Sequence, residues 1–457
     1  MVRYLGQRHV DVFRELQAIV ERASLESRRR AQPAWFCHNR KSVSGKASYK
    51  WAFKARLRAR AFGWRGSRPA IERLKQAVSE IRAVARRDPV AAADGAVSLM
   101  ERLWPAFEHI DTSSGALGGA VNWTLAELIP VIAGAPADPK TRDRWLDRMW
   151  QAIQDDGVSY LWPVEVRWGE LCASAEVASR WADEILSVLR SAWSDPRSGG
   201  YVSGTDLCLS SLLAAGRYQE LLDVLALKER PIWPWRRYGI RALRAQGLLD
   251  EALAYAEASR GLNIPNSAVD AECEEILLAA GRRAEAYERY ALTANQANTG
   301  LATFRRITTK YPEVDPQRIL TDLADASGDF GRWFAAAKDA GFLDLALRFA
   351  ANGRTDPKTL SRASRDFLES DAVFALRIGR LAVDRILAGQ GYDITALDLA
   401  GAVDHFLAAA RKLGVEADTK ADLGRMIAAH PEAPSFLLGP IPRRVSEPRP
   451  GGGSRDR

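Results

Sequence analysis

The sequence predicts an all-α protein, a right-handed α-solenoid of stacked helical hairpins. The first observation is a recurrence. SLLAAGRYQELLDVLAL begins at Ser211, RALRAQGLLDEALAYAEA at Arg241 and EILLAAGRRAEAYERYAL at Glu275. Each is an apolar helix end, a glycine, a short step and a second apolar helix. The glycines are Gly216, Gly247 and Gly281, so the steps are 31 and 34 residues, and AAAKDAGFLDLALRFA places Gly341 a further 60 on. A period in this range means stacked helical hairpins, because one hairpin cannot bury its apolar face alone. The second observation is punctuation: Asp-Pro pairs at Asp88, Asp138, Asp315 and Asp356 read as a capping residue followed by the first helical position. The third is the scarcity of alternating apolar runs of the kind a half-buried strand needs.

Within the repeats, Leu212, Leu213, Leu243, Leu277 and Leu278 lie one turn before their glycines, where they can face a neighbouring helix. The glycine supplies the left-handed residue that ends the first helix. After Gly247 the apolar set Leu249, Ala252, Leu253 and Ala256 has helical spacing. Small residues such as Ala252 and Ala286 let paired helices approach closely.

Taken in order, residues 3–27 form one amphipathic helix. No acidic residue then occurs between Glu26 and Glu72, a stretch in which thirteen Lys and Arg side chains from Arg28 to Arg68 interleave with Trp35, Phe36, Tyr49, Trp51, Phe53, Phe62 and Trp64. Ser42, Ser44, Gly45 and Ser48 mark a mobile loop. Residues 49–58 alternate as a strand would, but Phe53, Leu57, Ala61 and Trp64 also share one helical face, and helical neighbours favour the helix. Pro69 suits the first turn of the next helix. Asp111 to Gly115 is a turn. Trp162-Pro163, Asp195-Pro196 and Gly199-Gly200 break the chain before the repeats, and helices near Asp371 and Leu397 close the array. From Pro440 the tail is almost devoid of apolar residues and reads as disordered. Three regions result: a basic, aromatic-containing N-terminal segment over 1–68, a helical-repeat solenoid over 69–439, and a tail over 440–457.

Charge is unevenly placed. Of the net +8, residues 1–88 carry +15 and the remainder −7. Cys37, Cys172, Cys208 and Cys273 are far apart, which suggests reduced thiols rather than a disulfide framework. The N-terminus has no apolar signal core. The most apolar run, from Gly115 to Ala137, is interrupted by Asn122, Glu127 and Pro130 and reads as a buried helix, not a membrane span. The expectation is a cytoplasmic protein with no membrane partner.

Motifs for chemistry are sparse. The five histidines form neither H-x-H nor H-E-x-x-H, and the adjacent Cys37 and His38 have no second pair nearby, so no metal site is assigned. Ser44-Gly45-Lys46 echoes a phosphate loop but lacks its first glycine, position 40 being Arg. His109 and Asp111 could form a base and its orienting carboxylate, but read more simply as a helix-end cation and the cap of the next helix. Asp155-Asp156 and Glu272, Glu274 and Glu275 read as solvated charge. No catalytic or cofactor-binding residue is assigned. Two candidate surfaces remain. Arg40, Lys41, Lys46, Lys50, Lys54, Arg56, Arg58 and Arg60 form a candidate polyanion-binding set. Trp235, Arg237, Arg241 and Arg244 form a candidate partner groove, the three arginines sharing a helical face.

GRYQELL and GLLDEAL resemble the turn of tetratricopeptide repeats, although the aromatic signature of the first helix and the closing proline are not regular. From about Leu57 to Pro440, FEHIDTSSGALGGAVN, DDGVSYLWPVEVRWGELCAS, AEASRGLN, FRRITTKYP and RWFAAAKDAG resemble an uncharacterised bacterial family of helical-repeat proteins, related to the helical region found behind SWIM-type zinc fingers. The finger's C-x-C and C-x-H do not occur here, so only the helical part is implied, with no activity attached. The expectation is a non-catalytic scaffold for a protein partner, with nucleic-acid or polyanion binding through residues 28–68 as the alternative.

Overall fold

The computed structural model describes residues 49–194, 202–228, 231–261 and 264–433. The chain is all-α, and it divides into two compact units between Ser259 and Arg260. Expectations for residues 1–48, Asp195-Pro196, Gly199-Gly200 and the tail lie outside the described residues.

In the first unit the helices are α1 (Phe53–Arg56), α2 (Ser67–Ala85), α3 (Pro89–Phe107), α4 (Ala116–Ala133), α5 (Pro139–Gln154), α6 (Trp162–Val166), α7 (Trp168–Cys172), α8 (Ala175–Ser194), α9 (Thr205–Ala214), α10 (Tyr218–Leu227), α11 (Trp233–Ala245) and α12 (Leu249–Glu257). Helices α2, α3 and α4 pack mutually, and α9 is shared by α6, α7, α8 and α11. Helix α4 is long and apolar enough to cross a membrane by length and composition. Here Leu117, Val121, Leu125, Leu128, Ile129 and Ile132 are buried inside the unit, and Glu127 pairs with Arg82 of α2 at 2.7 Å.

The second unit contains α13 (Asn266–Ala279), α14 (Arg283–Ala286), a π-helical turn over Tyr287–Ala291, α15 (Leu292–Ala294), α16 (Gly300–Lys310), α17 (Pro316–Ser327), α18 (Phe330–Asp339), α19 (Leu343–Asn352), α20 (Pro357–Asp366), α21 (Ala372–Leu387), α22 (Ala396–Leu413) and α23 (Glu416–Ala429). Consecutive helices pack as pairs, most extensively α18 with α19, α20 with α21, and α21 with α22.

The turns follow from the sequence. Gly216, Gly247, Gly281 and Gly341 all have φ between 72° and 86°. At each, the glycine N–H bonds the carbonyl three residues back and the next N–H bonds the carbonyl five back, as in Leu248 N to Leu243 O and Gly247 N to Arg244 O, both 3.0 Å. This is the Schellman closure, which satisfies the orphaned carbonyls at a helix end and reverses the chain. The same pair of bonds recurs at Gly389 and Gly414. Asp88, Asp138, Asp315 and Asp356 each cap a helix through the side chain, with proline just inside.

Several expectations are corrected. The helix drawn through Phe53, Leu57, Ala61 and Trp64 stops at Arg56, because the following backbone turns away and Arg60 enters the left-handed region at φ 56°. Phe53 and Leu57 are buried, whereas Trp64 is 68% exposed. Gly115, not Asp111, caps α4; Asp111 instead accepts the Ser113 N–H within its own turn. Glu272 and Glu274 are buried rather than solvated. Glu274 accepts from Asn295 Nδ2 at 2.7 Å, Tyr311 Oη at 2.6 Å and Lys310 Nζ at 2.5 Å. A carboxylate that gathers three donors, one of them a cation, can sit in a core. Asp156, too, is turned inward, accepting the Leu161 N–H at 2.7 Å and the Val158 N–H at 3.2 Å.

Candidate functional site

The described part of the basic segment, residues 49–68, folds with its two residue types on opposite sides. Trp51, Phe53, Leu57 and Phe62 are buried in the same core as α2 and α3. Trp51 stacks between Tyr49 and Phe53 at ring separations of 4.4 and 5.4 Å and fills the space above Gly95 of α3, where a Cβ would meet the indole at 2.2 Å. These aromatics are anchors: Trp51 and Phe53 are buried and offer no face to a ligand.

The basic side chains face the other way. Lys50, Arg56, Arg58, Arg60, Arg65 and Arg68 are exposed and Lys54 is half-buried. Arg56 donates to the neutral amide of Gln76 at 2.7 Å. Among the described residues, the side chains of Lys50, Arg58, Arg60, Arg65 and Arg68 have no ion-pair partner. The carboxylates tied to this loop are already engaged with backbone. Glu80 accepts the N–H groups of Ala52 and Phe53 at 2.9 and 3.3 Å, and Asp111 accepts that of Ser113. Elsewhere in the same unit guanidiniums find carboxylates: Arg148 holds Glu101 and Asp94 at 2.7 and 2.8 Å, and Arg190 holds Glu220 at 2.7 Å. Backbone bonds hold the loop in place: Arg60 N–H to Pro105 O at 2.8 Å, and Asp111 N–H to Trp64 O at 2.9 Å. The Ser67 hydroxyl adds a bond to Asp111 O at 3.0 Å. Arg40, Lys41 and Lys46 lie outside the described residues.

The second candidate surface is less open. All four of its residues lie on α11. Trp235 is half-buried against Trp193, with ring centroids 5.0 Å apart. Arg237, Arg241 and Arg244 are half-buried and each has an interaction within the protein, Arg241 lying over the Tyr238 ring at 6.0 Å. Sequence spacing put the arginines on one face correctly, but that face is largely packed.

Beside it lies a cluster that no motif announced. Asp206 of α9, 9% exposed, accepts the Trp162 indole N–H at 3.1 Å, and the Tyr238 hydroxyl lies 3.3 Å from both Asp206 Oδ1 and the Val166 carbonyl oxygen. The side-chain carboxyl of Glu165 of α6 receives no hydrogen bond among the described residues. Burial, and then the nearby Asp206 and Asp156, push the Glu165 carboxyl up to about 7. Burial likewise raises Asp206 and Asp156 despite their donors, and raises Tyr238 well above the usual phenol value. The one sequence signal was a charged Asp206 inside the otherwise apolar TDLCLSSLLA; its partners are spread over some eighty positions and could not be paired by spacing.

The remaining titratable groups have local roles. His109 is exposed and lies 3.9 Å from Glu108, not beside Asp111. Burial pushes the thiols of Cys172 and Cys208 up to about 12, which keeps them as unreactive core residues. Ser361 Oγ lies 3.1 Å from His405 Nδ1, and burial lowers the pKa of that imidazole. Among the described residues no three His, Cys, Asp or Glu side chains are grouped to hold a metal ion. Compared with family models, curated proteins and solved structures, the chain matches none.

Proposed function

We propose that the chain is a non-catalytic helical-repeat scaffold, a right-handed α-solenoid, and that the ligand it presents this fold to is a polyanion, held by the exposed row from Lys50 to Arg68. One observation carries the reading: five cationic side chains in one stretch point outward without ion-pair partners among the described residues, while Trp51, Phe53 and Phe62 between them are spent on anchoring. Charge left unpaired on a fixed loop is available to phosphates, and such contacts release counterions. The alternative ligand is a protein partner seated on α11 through Trp235, Arg237, Arg241 and Arg244; it is supported by the arginine spacing and weakened by how far those side chains are already engaged.

The test is retention of the full-length chain on heparin, and its affinity for DNA, at about 50 and 200 mM salt. Binding at the lower concentration, falling steeply at the higher, and abolished when Arg58, Arg60, Arg65 and Arg68 are all replaced by Glu, is the expected result. Absence of binding at low salt rejects the polyanion reading, and binding indifferent to the four replacements rejects this row as its site. In the second case, the loss of binding on replacing Arg237, Arg241 and Arg244 would move the site to α11.

A further inference from the structure

The row from Arg58 to Arg68 is not only charged. Of the aromatic residues in the described basic segment, Trp51, Phe53 and Phe62 are buried, Tyr49 is 46% exposed, and Trp64 presents 68% of its surface to solvent. Trp64 stands between Arg60 and Arg65, and its backbone is fixed, its carbonyl accepting the Asp111 N–H at 2.9 Å. Exposing an indole on a surface that has a core immediately beneath it is unfavourable by the area it leaves in water. The chain buries three neighbouring rings and leaves this one out. Arg60 carries a second local cost. Its φ of 56° lies in the region that L-residues avoid, and the conformation is held by its N–H to Pro105 O at 2.8 Å. Glycine would occupy that position without strain, yet the residue is an arginine, exposed and without an ion-pair partner among the described residues. Strain of this kind is most informative when the residue bearing it has no packing role.

An exposed tryptophan next in sequence to arginines that have no ion-pair partner among the described residues has a specific complement: an unpaired base over the ring, with its phosphates against the cations. In a duplex the base faces are covered by their neighbours in the stack, so only the phosphates are offered. We infer that the stretch Arg58–Arg68, the loop before α2 and the start of that helix, is a binding site for single-stranded nucleic acid, with Trp64 stacking on a base and Arg58, Arg60, Arg65 and Arg68 contacting phosphates. This rests on the polyanion reading above and narrows it to one ligand class. Stacking is tolerant of base identity, so no sequence preference is expected.

The experiment uses the full-length chain and three probes: an oligothymidylate of about 20 nucleotides, a duplex of the same length, and heparin. At about 50 mM salt the single strand binds more tightly than the duplex, and its binding quenches tryptophan fluorescence. Trp64→Ala lowers affinity for the single strand by about 5- to 150-fold, the range found for one base–aromatic stack. Affinity for duplex and heparin is unaltered, and so is thermal stability, since the ring lies outside the core. Trp64→Phe retains most of the binding. Arg60→Gly, which places glycine where the backbone favours it, does not lower the melting temperature but makes the salt dependence shallower by about one counterion. Equal binding of single strand and duplex, with Trp64→Ala indifferent, overturns the inference and leaves the polyanion reading standing. No binding to any of the three probes at low salt removes both.

Discussion

Replacing Glu165 by Gln tests the acidic cluster at α6 and α9. In the folded chain Glu165 is half-buried near Asp206 and Asp156, and its charge also acts on Tyr238 of α11. Its pKa moves from 4.5 to about 7. The folded state therefore holds a proton that the unfolded state has released between those two values. Stability from this group is complete below about pH 4.5 and is lost as pH rises through 7. A displacement of this size corresponds to at most about 3 kcal/mol. Asp206 and Asp156 are raised as well and act in the same direction. Gln has the size of Glu and stays neutral, so Glu165→Gln should match the parent near pH 5 and exceed it at pH 8. For a unit of this size each kcal/mol shifts the melting temperature by about 2–4 °C. Thermal melts of both proteins at half-unit steps from pH 5 to 8 would read this. Parallel profiles, or a glutamine variant less stable than the parent at pH 8, would refute the placement of an ionisable, unsolvated carboxyl at this point.

Two further substitutions examine the framework. Gly247→Val should lower stability by about 1 kcal/mol or more, read by denaturant unfolding, through conformation alone: its φ is 78° and an added Cβ would meet nothing within 4 Å. A neutral result would mean the turn is not held left-handed. Arg142→Met should cost more, about 2–4 kcal/mol, because the buried guanidinium donates charge-assisted bonds to the carbonyls of Ile132 and Ala135 at 2.6 Å each, and Met leaves these oxygens only the Ala135 and Ala137 N–H groups at 3.3 and 2.8 Å. A cost below 1 kcal/mol would show that water or a neighbour replaces those bonds.

The helical framework was legible because its signals are local. A glycine that must be left-handed, or an aspartate one residue before a proline, acts within one turn of chain, and all four repeat glycines and all four Asp-Pro starts are found in those roles. What the sequence concealed was the direction in which polar groups face. Glu272, Glu274 and Glu275 look like a solvated acidic run, and Glu274 becomes a core residue only because Asn295, Lys310 and Tyr311 arrive from as far as 37 positions away. The N-terminal boundary drawn at residue 68 separated basic from helical composition, whereas the core recruits Trp51, Phe53 and Leu57 from across that line. Composition changes where charge changes; packing follows the aromatics.

The arginines show why a charge count cannot be read as a surface. Fifty-three of the sixty-five basic residues are Arg, and the fold puts them to three different uses. Arg142 and Arg385 are buried and aim their forks at carbonyl oxygens that end α4 and α19, the latter through Gly353 at 2.5 Å and Thr355 at 2.8 Å. A planar donor array suits several carbonyls at once, and burial lowers the pKa of both groups without a carboxylate being needed. Arg148 is the second kind, half-buried and bidentate to Glu101, its charge cancelled where it stands. Fully exposed pairs, such as Arg180 with Asp143, contribute little to stability. The third kind, represented by Arg58, Arg60, Arg65 and Arg68, has no ion-pair partner among the described residues. These four follow one another within eleven residues, three on the loop before α2 and Arg68 at the start of that helix, and the carboxylates tied to this stretch, Glu80 and Asp111, accept backbone N–H groups. Glu80 therefore spends its charge on holding the start of the segment through the N–H groups of Ala52 and Phe53, and forms no ion pair with the adjacent guanidiniums among the described residues.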